Sequence, residues 1–155
     1  MRRADRAVTA LNDQLEILRS CKVLRLAMED AQGLYLVPLS FGFAAEGETL
    51  TLYVHSAREG RKVRCMTPGC AVAFEADCGF SLLPGDKACR WSCTYRSITG
   101  TGHAAPVTDP AEKRRALEII LAHQSGREIP VTEAEAAAVA VFRIQVETIS
   151  GKQHL

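Results

Sequence analysis

A short polar run near the middle of the chain, His55-Ser56-Ala57-Arg58-Glu59-Gly60-Arg61-Lys62, holds the residues whose types and spacing point most directly to chemistry. Arg58, Arg61 and Lys62 stand at i, i+3 and i+4, a spacing that gathers three cations on one face of a helix. Ser56 followed by Glu59 has the form of a capping box, which predicts a helix starting with Ser56 as its N-cap. The first N–H groups of a helix have no internal partners and its amino end is electropositive, so the junction attracts an anion such as a phosphate. Ser56 can act as cap and ligand together, its oxygen accepting from the helix while its hydroxyl hydrogen points outward. The plainer reading is a solvated basic face on a short capped helix, and on this run alone it has the stronger claim.

The elements that must position these groups can be read from hydrophobic period. Leu50, Leu52 and Val54 alternate with Thr51, Tyr53 and His55, which predicts a half-buried strand over 49–55, and Val63 and Met66 then fall three apart as on a helix. A strand is expected over 34–43 with Pro38 inside it. Proline cannot donate to a ladder, so this strand is an edge or is bulged at Pro38, and free backbone groups at Val37, Leu39 and Ser40 are open to a flat heterocycle; an ordinary edge strand is the simpler explanation. Further strands are expected over 24–29, 70–76, 91–105 and 139–148. Both faces of the 91–105 strand are partly polar, which suits a ligand or a partner subunit. Leu11, Leu15 and Leu18 predict a short amphipathic helix. Asp109-Pro110 with Glu112 starts another, which runs to about Ala122, and Thr132 with Glu135 starts a third. Residues 77–88 show neither period. The expectation is one mainly β domain over 1–155 with peripheral helices, a six-stranded barrel.

Composition narrows the function classes. Nineteen Lys and Arg against eighteen Asp and Glu give a net charge of +1 with both signs interspersed, which argues against a nucleic-acid or anionic-membrane surface. The apolar run 136–142 is far short of the roughly 20 residues of a membrane span. Charged residues occupy the amino-terminal stretch where an export signal needs an apolar core, so a cytoplasmic protein is expected. The six cysteines form no CxxC and no histidine pair lies at ligand spacing, so no metal site is expected. Most are expected to be buried as small hydrophobes. His103 and His123 read as structural, and His154 as part of a mobile terminus.

Several segments together resemble the flavin-nucleotide-binding split β-barrels related to pyridoxamine 5'-phosphate oxidase, and within them the nitroimidazole-resistance (Nim-like) group. They are Val37-Pro38-Leu39-Ser40-Phe41-Gly42, Leu52-Tyr53-Val54-His55-Ser56-Ala57 with Glu59-Gly60-Arg61-Lys62, Ala88-Cys89-Arg90-Trp91, and Tyr95-Arg96-Ser97-Ile98 with Gly100. The resemblance implies FMN, with FAD as the alternative. It implies that His55, Ser56, Arg61 and Lys62 hold the phosphate and ribityl chain, and that the backbone of Val37, Pro38, Leu39 and Ser40 lies along the ring. It implies a homodimer, in which the strand bearing Tyr95, Arg96 and Ser97 approaches the flavin from the second subunit. Trp91 then walls the ring or fills the dimer core. His55 is a candidate proton donor, a phosphate hydrogen-bond partner, or a strand-end histidine with a structural role. No counterpart of the oxidase's carboxy-terminal substrate-binding segment follows Ile149, which argues against that enzyme's own activity. The functions implied are flavin-dependent reduction of small nitroaromatics, a non-catalytic flavin carrier or sensor, or a split barrel for haem or a deazaflavin.

Overall fold

The computed structural model describes residues 3–155. Its strands are β1 (Ala7–Val8), β2 (Leu24–Asp30), β3 (Gly33–Leu39), β4 (Phe41–Glu46), β5 (Thr49–Ser56), β6 (Cys70–Leu83), β7 (Ser92–Pro106) and β8 (Ala140–His154). The helices are α1 (Leu11–Ser20), α2 (Arg61–Met66), α3 (Pro110–Ser125) and α4 (Glu133–Ala137). All strand pairs are antiparallel in the order β3-β2-β6-β7-β8-β5-β4, with β1 added beside β8. The two ends of this path, β3 and β4, are consecutive in sequence with Ser40 alone between them, so the sheet has rolled into a barrel. With β3 and β4 counted as one interrupted strand and the two-residue β1 as an addition, this is the expected six-stranded split barrel with peripheral helices.

The alternation read from the sequence fills the interior. Leu24, Leu26 and Met28 of β2, Leu50, Leu52 and Val54 of β5, and Phe142 and Ile144 of β8 are buried in one cluster with Leu15, Ile17 and Leu18 of α1. A smaller cluster, Leu117, Ile120, Val131, Ala136 and Val141 among them, seats α3 and α4 on the outer face of β5 and β8. Both of those helices are capped as expected. Asp109 Oδ1 accepts from the Glu112 N–H at 2.7 Å, and Gly126 ends α3 in the left-handed conformation (φ 72°). Thr132 and Glu135 form a full capping box.

Several expectations need correction. The 34–43 strand lies at an edge, as one of the two readings of Pro38 has it, but it is not bulged there: Pro38 stays in register opposite Arg25, and the interruption lies at Ser40. The unreadable stretch 77–88 is largely strand: β6 continues to Leu83 through a bulge at Gly79 (φ 70°), which shifts the register between Cys78 and Ser81. A bulge resets the two-residue period, and beyond it the residues are exposed, so no alternation survives. Strand β8 runs on to His154, whose Nδ1 lies 2.7 Å from the Cys93 carbonyl oxygen, so this terminus is paired and not mobile. Two of the six cysteines, Cys21 and Cys65, are buried, fewer than expected, and all six are free thiols. His123 is structural as expected, with Nε2 2.8 Å from the Cys21 carbonyl and its ring against Phe41.

Strand β4 packs closely on α3. A Cβ on Gly42 would lie 2.7 Å from the Ile119 carbonyl oxygen and from Ile120 N and Cα, all backbone atoms that move only with the helix. Gly42→Ala is therefore expected to destabilise the fold by about 1–3 kcal/mol, measured by urea denaturation. An unchanged midpoint would show that α3 is not fixed against β4.

Candidate functional site

The polar run 55–62 is built differently from its sequence signature. Ser56 is the last residue of β5, paired with Ala140 of β8, so the ladder holds its backbone extended. Its hydroxyl donates to the Ala57 carbonyl at 2.7 Å and caps no helix. The next helix, α2, begins at Arg61, with Gly60 at φ 129° as its N-cap, a conformation that favours glycine. The expected capping box of Ser56 and Glu59 is therefore absent, and Arg58 lies outside the helix that was to align it with Arg61 and Lys62. The three cations part company as a result. Arg58 lines a cleft of about 230 Å³ with Val63, Thr67, Val107 and Lys113.

Arg61 turns the other way. Its Nε donates to Asp30 Oδ2 at 3.0 Å and its Nη2 to Asp30 Oδ1 at 2.8 Å and to the Gly33 carbonyl at 2.9 Å. The guanidinium also lies over the Tyr35 ring, 4.6 Å from its centre. The Arg61 hydrogen bond, helped by the Gln32 N–H, holds the Asp30 carboxyl down at about 2. Lys62, next in sequence, forms no ion pair among the described residues.

His55 points to the outer face of β5, under α3 and α4. It lines a cleft of about 230 Å³ with Leu117, Leu121, Ile129, Val131 and Glu135. Its Nδ1 is buried and has no hydrogen-bond partner. Burial, and secondarily the Lys62 charge, push its pKa below the ordinary 6.5, so the ring is neutral at pH 7.

The remaining candidates lie elsewhere. Val37 is half-buried, Leu39 buried, and Pro38 and Ser40 exposed, at the end of β3 remote from Arg61's contacts with Gly33. Strand register carries this end across the sheet: Pro38 faces Arg25, Arg25 pairs with Glu75 at 2.9 Å and with Asp77, and Asp77 faces Ser97. Tyr95 and Arg96 precede Ser97 on β7, with the Lys152 ammonium 5.9 Å from the Tyr95 ring centre, and Trp91 is 50% exposed just before the strand. Ser56 pairs with Ala140 at one end of β8 and Ser97 with Lys152 near the other, roughly 40 Å apart along the strand. One chain therefore does not bring the β5–α2 residues to the β7 residues.

The model of the pyridoxamine 5'-phosphate oxidase family matches residues 12–153. The chain belongs to this family. Solved structures agree in fold. A candidate 5-nitroimidazole antibiotic resistance protein from Bacteroides thetaiotaomicron is 25% identical, with a TM-score of 0.80 over 95% of this chain and 86% of that one. A flavocytochrome from Azotobacter vinelandii is 20% identical (TM-score 0.80, 100% and 72% covered). An FAD- and haem-binding protein from Mycobacterium smegmatis is 17% identical (TM-score 0.81, 96% and 73% covered). Among curated proteins no significant sequence match was found.

Within this family member, Asp30 and Tyr35 are the residues that sequence reasoning missed. No local signal could have found them, because Asp30 meets Arg61 across 31 positions. Gly60, by contrast, stood in plain view ahead of Arg61-Lys62. Because the folded Asp30 carboxyl titrates at about 2 against an ordinary 3.8, its pairing stabilises the fold above about pH 4 and is lost as pH falls toward 2. Wild type is expected to melt above Asp30→Asn at neutral pH, the gap closing in acid. A gap independent of pH would rule out the ion pair as its cause.

Proposed function

We propose that the protein binds FMN at sites shared between two copies of the chain and serves as a flavin-dependent reductase of small electron-poor compounds such as nitroaromatics. Two features fit a flavin nucleotide. Lys62 offers a phosphate dianion a cation with no carboxylate partner among the described residues, with the two donors of Arg61 Nη1 nearby. Among the described residues the outer edge of β3 has no strand beside it, so the outward-facing half of the backbone groups along Val37–Leu39, with no N–H from Pro38, is open to the hydrogen-bonding edge of a ring. His55 and Ser56 border the phosphate end. When bound, FMN supplies the electron-transfer chemistry, and the chain binds, orients and shields it. FAD and haem binding are properties of the Mycobacterium smegmatis relative and nitroimidazole resistance of the Bacteroides one; of these, flavin binding and nitro-compound chemistry are carried to this chain in the proposal.

The observation that carries the reading is the separation along β8. Phe41 faces Val54, which brings Ser40 to the His55 end of β5; in the proposed site the ligand runs from there toward Arg61 and Lys62 of the same copy, and Trp91, Tyr95, Arg96 and Ser97 of the other copy complete it. The β6–β7 hairpin offers the surface, with Phe80 70%, Leu82 54% and Trp91 50% exposed. Such a cluster is expected to be covered in solution. Equilibrium sedimentation is expected to give a dimer that Phe80→Asp dissociates, with loss of bound flavin. A monomeric wild type that retains flavin would defeat the shared-site reading.

The spectrum of the purified protein, with chromatography of the released cofactor, decides between flavin and haem. Lys62→Ala should weaken FMN about tenfold or more, roughly 1.4 kcal/mol, and leave riboflavin nearly unchanged. Equal losses for both ligands would remove the phosphate from Lys62. Rapid anaerobic reoxidation of the reduced protein by a nitro compound is the expected sign of a reductase; failure with every acceptor would leave a carrier or sensor.

A further inference from the structure

Arg61 and Lys62 adjoin in sequence and carry the same charge, yet they differ in what surrounds them. Three of the five N–H donors of Arg61 are taken: Nε and one hydrogen of Nη2 by the Asp30 carboxylate, at 3.0 and 2.8 Å, and the other hydrogen of Nη2 by the Gly33 carbonyl, at 2.9 Å. The Tyr35 ring lies against the same group. The pair is sheltered, with the two side chains 26% and 24% exposed, so solvent screens it less than an open surface pair. The carboxylate is itself fixed by donors other than arginine: the Gln32 N–H reaches Oδ1 at 2.8 Å, and the Cys65 thiol lies 3.4 Å from Oδ2.

A phosphate reaching this end of the barrel therefore finds one unpaired cation and one whose charge is already matched. We infer that Asp30 sets how strongly the chain prefers a phosphorylated over an unphosphorylated flavin, by holding Arg61 to itself and leaving Lys62 as the principal cation. The inference rests on the flavin-phosphate reading above. Asp30 acts as a positioning residue through Arg61 and touches no ligand. Turning Arg61 onto a phosphate would break two charge-assisted hydrogen bonds, among the strongest a protein makes, and would leave a carboxylate beside a dianion. With Asp30 neutral, Arg61 keeps its charge and loses its competitor, so its attraction for phosphate grows while nothing at the ring end changes.

The test titrates the flavin-free full-length chain with FMN and with riboflavin, by quenching of flavin fluorescence, in wild type, Asp30→Asn, Arg61→Ala, the double variant and Lys62→Ala. Asp30→Asn is expected to raise the FMN-to-riboflavin affinity ratio by about three- to tenfold, and by clearly less in the Arg61→Ala background, where only the carboxylate's repulsion is lifted. Arg61→Ala alone should lower the ratio by less than about threefold, against about tenfold or more for Lys62→Ala. A lower ratio in Asp30→Asn would mean that Asp30 aims Arg61 at the phosphate, and an unchanged ratio would make the pair purely structural; either overturns the inference. If Asp30→Asn does not fold, Arg61→Ala decides by itself, and a loss as large as that of Lys62→Ala overturns it. An unchanged ratio in Lys62→Ala would remove the phosphate assignment itself, and this inference with it.

Discussion

One covalent constraint governs the architecture: the first and last strands of the sheet path, β3 and β4, are joined through Ser40 alone. Two successive Cα–Cα steps span at most about 7.6 Å, so the far edges of the sheet must meet within that distance. A flat or gently twisted sheet of this many strands cannot satisfy the link. The sheet must curl, and the side chains on its concave face become an enclosed core, in which Leu24, Leu26, Phe41, Leu52 and Ile144 are wholly buried. The convex face is left to other partners. Where helices α3 and α4 cover β5 and β8, a second, smaller cluster is buried.

The same closure gives the barrel two distinct ends, and the candidate residues divide between them. The β2–β3 turn, with Asp30 and Gly33, stands at the end where α2 lies, and Leu39 and Ser40 mark the other. A six-residue helix without a side-chain cap is too short to hold itself, since isolated helices below about 12–15 residues are marginal in water. Burial of Cys65 and Met66 seats α2 from below, and the Arg61 fork ties its first turn to the hairpin. The direction in which Lys62 presents its charge is thus a tertiary property that rests on contacts with residues 30 to 35.

This division explains what the sequence disclosed. Strands with one face in the core announced themselves, as in the alternation of Leu50, Leu52 and Val54, and so did the helices whose caps are local, at Asp109 and Thr132. Failures fell where local and tertiary preferences compete. Ser56 and Glu59 match the capping pattern that Thr132 and Glu135 obey, but pairing with Ala140 keeps Ser56 extended, and six ladder positions of β5 on β8 outweigh one cap. Strand ends escaped notice where no apolar alternation marks a buried face: β6 beyond Cys78 and β8 beyond Thr148 form strands because both pair with β7, and pairing leaves no mark on hydrophobic period. For the candidate site, residue types and order were legible, while the partner of Arg61 and the distance between the β5 and β7 groups were not, because both depend on long-range register.

The distal part of the β6–β7 hairpin presents the sharpest physical problem in the chain. Beyond the bulge it has two strands, and a two-stranded ribbon is marginally stable at best in water. Its side chains at Phe80, Leu82, Leu83 and Trp91 are apolar and exposed, so within one chain they add no burial to offset the ordering of the ribbon. The β8 terminus relieves part of this by pairing Gln153 and His154 with Arg96 and Tyr95, which turns the base of the ribbon into a three-stranded sheet, and β1 extends it to a fourth strand at Gly151 and Lys152. Among the described residues no strand continues the process beyond Ser92 and Leu83. The tip therefore presents exposed apolar side chains at the end of the two strands, one of which carries Tyr95, Arg96 and Ser97.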